Sequence, residues 1–152
     1  MKRLAIALAA AMTACAPTAA SPEAPLERAE SGLEQVPVTV RSSNGTHRFI
    51  AELARTPEEQ SRGLMFRESL ALDRGMIFPY DPPQPASFWM ENTLIPLDII
   101  FIRPGGTIAR ITTAVPLSQE LMPAGEPVEA VLEIPGGRAA QLGIKAGDKV
   151  SW

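Results

Sequence analysis

The chain has 152 residues, 45% hydrophobic and 20% charged, which suits one globular domain with a modest addition. Its formal net charge of −3 makes it a poor electrostatic match for nucleic acid. One cysteine and one histidine exclude an intrachain disulfide and leave too few ligands for a Cys/His zinc site.

Residues 1–15 read as a secretory leader. Lys2 and Arg3 form its basic region and residues 4–12 its apolar stretch, which falls short of the roughly 20 residues a bilayer span requires. It ends in Met12-Thr13-Ala14-Cys15. This resembles the lipobox of bacterial lipoproteins, with Met12 where Leu is usual. The resemblance implies lipidation of Cys15, which would also account for a lone thiol in an exported protein. The expected location is the periplasmic face of the cell envelope, lipid-anchored. Ala16 after the cysteine, in place of Asp, favours the outer membrane by resemblance to Gram-negative sorting signals. Residues 16–35 are rich in Ala, Pro, Ser and Glu, with Leu26 and Leu33 the only large apolar groups. Such a stretch buries too little to fold by itself and reads as a disordered tether.

Residues 36–152 read as the folded domain, long enough for one modest core. Val36, Val38 and Val40 alternate with polar neighbours, the period of a strand. Asn44-Gly45 suits a hairpin turn, and residues 46–54 form the return strand, with Phe49, Ala51 and Leu53 on one face and Glu52 on the other. Thr56, Pro57 and Glu59 carry the capping signals of a short helix, which Gly63 ends. Residues 75–78 form another strand, closed by Pro79. Three prolines in residues 81–85 predict an irregular loop. Residues 88–91 and 97–102 are further strands. Pro104-Gly105-Gly106 turns the chain into residues 107–112, and residues 115–126 read as loop. Residues 128–134 alternate as a half-buried strand, residues 138–142 form a helical turn stopped by Gly143, and residues 149–152 end the chain as a strand. Many short strands between turn signals predict a mainly β sandwich or barrel with one or two short helices.

Arg62-Gly63-Leu64-Met65, Gly75-Met76-Ile77-Phe78, Phe88-Trp89-Met90 with Asn92-Thr93, Pro96-Leu97-Asp98, Val131-Leu132-Glu133 and Gly147-Asp148 together resemble the DUF192 (UPF0127) family, across residues 36–152. The resemblance implies a small, jelly-roll-like β domain, often exported, with no settled activity. Two positions depart from the family pattern. Glu91 stands where Lys or Arg is common, and Pro79 where an apolar strand residue is usual.

The residues that could carry chemistry fall into three groups. Glu52, Asp98 and Glu133 are carboxylates on predicted strands with apolar neighbours, and a buried charge needs a partner. Arg62 is the expected partner of Asp98, because it ends a helix that must pack on the sheet and its planar fork matches a carboxylate. Glu52 should lie nearby. Trp89, Asn92 and Thr93 combine an indole, an amide and a hydroxyl, which suits stacking and hydrogen bonding to a small polar ring. Met65, Met76, Met90 and Met122 are soft ligands that could hold Cu(I), though methionine is a routine core filler. No phosphate-cradling glycine motif or basic stripe is present, and no cofactor is expected. The pattern favours a module that binds a small molecule or an envelope partner. The alternative is a carboxylate enzyme acting on a glycan or another polar envelope substrate, which would require two acids about 5–10 Å apart.

Overall fold

The computed structural model describes residues 31–152. The expected leader, Cys15 and most of the expected tether lie outside the described residues. Seven strands alternate with two short helices: β1 (Gln35–Ser42), β2 (Gly45–Leu53), α1 (Pro57–Arg62), β3 (Arg74–Phe88), β4 (Leu97–Arg103), β5 (Thr107–Ala114), β6 (Met122–Pro135), α2 (Arg138–Leu142) and β7 (Lys149–Ser151). The strands close into a barrel in the order β1-β2-β3-β6-β4-β5-β7. All neighbours are antiparallel except β2 and β3, which run parallel across the α1 crossover. The mainly β class expected from the sequence is the one observed.

Period-two alternation sends each strand's side chains to opposite faces. Val38, Val40, Phe49, Ala51, Ile77, Ile100, Ile102, Leu132 and Ile134 form an interior core, and Ala139 of α2 packs on it. The other face of β3, β6 and β4 is also apolar. There Met76, Phe78, Leu97, Ile99, Phe101 and Val131 form a second core with Ala54, Leu64, Met90 and Ile95 from the connecting segments. The central sheet is therefore buried on both faces. This is why residues 97–102 read as a continuous apolar run around Asp98.

Four segments differ from the sequence expectation, one being the strand expected at residues 88–91, of which only Phe88 is in a strand. The proline-rich stretch does not end β3. The strand continues to Phe88 and pairs with β6 through Gln84–Val128 and Ser87–Pro123, with register shifts between Pro79 and Gln84 and between Pro85 and Ser87. Pro82 and Pro83 fall within the first shift, where their missing N–H groups break no ladder bond. Correspondingly, β6 opens at Met122, within the expected loop. Ahead of the expected boundary at Val36, Leu33 packs on the second core, Glu34 pairs with Arg55, and Ser31 donates to Glu52.

Candidate functional site

The register across the sheet assembles the site. Glu52 of β2 pairs with Met76 of β3, Met76 with Glu133 of β6, and Glu133 with Ile99 of β4. Glu133 thus has apolar side chains beside it in both directions, and Val131 precedes it on the same face. It is 4% exposed, and among the described residues its carboxyl has no hydrogen-bond or ion-pair partner. Burial without compensation disfavours the charged form. It pushes the Glu133 carboxyl up to about 8.

Glu133 borders a cavity of about 360 Å³, with Arg62, Phe78, Tyr80, Phe88, Trp89 and Thr93 among the lining side chains. That volume lies within the range of small-molecule sites. One wall is set by α1. Thr56 caps the helix in a capping box with Glu59, and Pro57 fills its first turn. Gln60 then anchors it to the sheet, donating from Nε2 to the carbonyls of Ala54 (3.2 Å) and Pro79 (3.1 Å). Arg62 consequently stands at the cavity edge, exposed and without an ion pair among the described residues. The opposite wall comes from the end of β3 and the turn beyond it. Phe88 packs edge-on against both Phe78 and Phe101. Trp89 is 44% exposed. Thr93 is buried, and its hydroxyl donates to the Glu91 carbonyl at 3.2 Å. Burial, with nearby Glu133 adding to it, pushes Tyr80 up to about 12.

The expected Asp98–Arg62 contact does not form. Asp98 Oδ1 accepts from the Thr113 hydroxyl (2.6 Å) and the Gly137 N–H (2.9 Å), while Oδ2 accepts from the Ala139 N–H (2.8 Å). By alternation Asp98 shares the face of Ile100 and Ile102, which line the barrel interior, whereas Glu133 and Arg62 border the outer cavity. Asp98 therefore ties α2 to the barrel. Glu52 is 7% exposed and is held by Arg67 at 2.6 Å as well as by Ser31. It lies two strands from Glu133, roughly 10 Å at the backbone given the usual strand spacing, and it does not line the cavity. The two acids a glycosidase requires are thus not presented to one space.

Asn92 also stays out of the cavity. It adopts a left-handed conformation, φ 56°, and its carbonyl accepts the Phe66 N–H, so it serves the bend. Met90 is fully buried and Met122 packs partly buried against the same core. Met65 and Met76 border a second cavity of about 870 Å³. That space also touches Ser31 and Leu33, where the described residues begin, and Arg67 beside it is already paired with Glu52. Tyr80 and Gln60 are cavity residues that the sequence reading missed. Tyr80 lies two residues beyond Phe78 on the same strand and was hidden by ending that strand at Pro79.

Residues 38–152 match the DUF192 family model, described as "Uncharacterized ACR". The chain belongs to this family. A comparison with curated proteins finds no match. A protein of unknown function from Novosphingobium aromaticivorans DSM 12444 shares 53% identity with a TM-score of 0.83, over 86% of this chain and 94% of that one. A candidate transcription regulator from Sinorhizobium meliloti 1021 shares 38% identity with a TM-score of 0.76, over 78% of this chain and 94% of that one.

Proposed function

We propose that the protein is an envelope lipoprotein whose domain binds a small polar molecule in the cavity at Glu133. The observation that carries the reading is Glu133 itself. Its carboxyl lies among apolar side chains and borders the cavity with no protein partner among the described residues, and a ligand can supply the interaction that burial denies it. A buried acid with a displaced pKa in a cleft is a recognised mark of a functional site. Arg62 at the edge and the half-exposed Trp89 add a cation and an aromatic face for contact.

A nucleic-acid role, as the description of the Sinorhizobium relative suggests for that protein, has little support. The net charge is −3, and the two described helices have six and five residues, too short to lie as recognition helices in a major groove. The leader pattern and the lone Cys15 support a lipid anchor at the periplasmic face, with Ala16 favouring the outer membrane.

The binding reading is tested by amide NMR of the labelled chain against a library of small polar compounds. Binders should shift the Trp89 indole N–H together with the amides of Thr93 and Glu133 and leave Asp98 unmoved. A library that never moves these three signals together would remove the reading.

A further inference from the structure

The hydrogen-bonding state of the cavity wall narrows the ligand class. Gln60 spends its amide hydrogens on the Ala54 and Pro79 carbonyls, so it offers the cavity its carbonyl oxygen. Thr93 spends its hydroxyl hydrogen on the Glu91 carbonyl, so it offers an oxygen as well. Glu133 offers two oxygens with no donor claiming them among the described residues. The hydroxyls of Ser61, Tyr80 and Ser87 and the Trp89 indole also line the wall and can donate, so its bias towards acceptors rests on Glu133, its one acid. Four aromatic residues, Phe78, Tyr80, Phe88 and Trp89, border the same space, and aromatic faces attract cations. An ammonium group carries only donors and matches both features. At the edge the bias reverses, because Arg62 carries only donors and a full positive charge.

We propose that the cavity takes a small zwitterion, an amino carboxylate or related amine bearing an anionic group. Its ammonium rests on Glu133 among the aromatic residues and its anionic end meets Arg62. This rests on the cavity being a ligand site and goes beyond it by fixing the ligand's charges and their order.

The proposal sets the sign of a pH dependence. Burial holds the empty Glu133 carboxyl near 8, and an ammonium selects its ionised form. Below that pH, binding must release a proton. Affinity should therefore rise about tenfold per pH unit up to about 8 and then level off. The groups around Glu133 leave that window clear. Arg62, which ends α1, lies at the cavity edge, Tyr80 on β3 is pushed up to about 12, and Met76 and Ile99 are uncharged. Glu52 is held by Arg67 two strands away, and Glu91, beside Thr93, does not line the cavity.

Isothermal titration calorimetry of the full chain tests this with four probe sets: ω-amino carboxylates of increasing length, the matching n-alkylamines, n-alkyl carboxylates and neutral polyols. An amino carboxylate should bind, releasing close to one proton at the acid end of the range and almost none above about pH 8. Glu133→Gln should abolish that release and weaken binding at least tenfold. Arg62→Met should weaken the amino carboxylate while leaving the matching n-alkylamine unaffected. If polyols or carboxylates bind and shift Trp89 while no amine does, the zwitterion assignment falls and the cavity remains a ligand site. If no probe set binds and the wider library also leaves Trp89, Thr93 and Glu133 unmoved, both are overturned.

Discussion

Asp98 and Glu133 are both buried carboxylates in apolar strands, yet their surroundings differ. Asp98 is 1% exposed and accepts three hydrogen bonds, two of them from backbone N–H groups of the α2 segment. Replacing it with Asn would turn one of those contacts into a donor facing a donor. Asp98→Asn should therefore cost about 1.5–3 kcal/mol, the range for a hydrogen bond to a charged group, in urea unfolding. Ligand binding at Glu133 should be unchanged, because the two groups lie on opposite faces. Glu133 has no such compensation, and its linkage sign is opposite to that of a paired acid. Its folded pKa of about 8 exceeds the ordinary carboxyl value of 4.5, so the native state holds the proton more tightly than the unfolded chain. The stability this contributes is complete below about pH 4.5 and is lost as pH rises to about 8. Glu133→Gln should remove that decline, leaving the variant more stable than the parent at alkaline pH. A parent whose melting temperature stays level across the same range, relative to Glu133→Gln, would show that Glu133 is compensated in the folded protein.

At the scale of elements, close approach and backbone strain determine what the site can tolerate. Gly75 lies where β3 meets β6, and a Cβ there would run into the Glu133 carbonyl oxygen and crowd Ile134 Cγ2 at 3.2 Å. Gly75→Ala should therefore destabilise by about 1–3 kcal/mol, as overpacking does, and should disturb Glu133 binding as well. The loops above the second core carry strain instead. Phe66 and Leu117 are left-handed, φ 66° and 61°, and their N–H groups donate to the Asn92 and Thr93 carbonyls. Both side chains are exposed. Glycine accepts this backbone freely, at an entropic cost of about 1 kcal/mol that the relieved strain offsets. Phe66→Gly and Leu117→Gly should thus leave melting unchanged or raise it slightly, and a clear drop in either would mean the exposed ring or chain is packed in solution.

Much of this element plan was legible in the sequence. The hairpin at Asn44-Gly45, the Thr56 capping box, and the placing of Glu52 opposite Phe49, Ala51 and Leu53 all follow from turn chemistry and period-two alternation. Alternation states which residues share a face but not whether another segment will cover that face. The strand carrying Glu133 therefore read as half-buried, whereas the second core covers its other face. The partners of Asp98 could not be read at all. Two of them are backbone amides about forty residues away in the chain, and an amide carries no residue identity. Arg62 was expected beside Asp98, and it borders the cavity at Glu133 instead.

On the scale of the whole molecule, one sheet separates Asp98, tied to α2, from Glu133, which borders the outer cavity. The barrel interior is closed with the help of α2 and Asp98, and the outer face is roofed by the segments that carry Arg62, Trp89 and Thr93. The binding face can therefore change without disturbing the barrel core. The leader pattern ahead of the domain predicts a lipid anchor at Cys15. Cys15→Ser should release the protein from the membrane fraction or stall its processing, and normal processing with retained membrane association would exclude a lipid anchor at Cys15. The identity of the site rests on Glu133 standing unpartnered before an open cavity. The most direct measurement is the pH titration of its side-chain carboxyl by carbon NMR in the ligand-free protein. A midpoint near 8 is expected. A midpoint at or below the ordinary carboxyl value of 4.5 would mean that Glu133 is already paired or solvated, and would contradict the site.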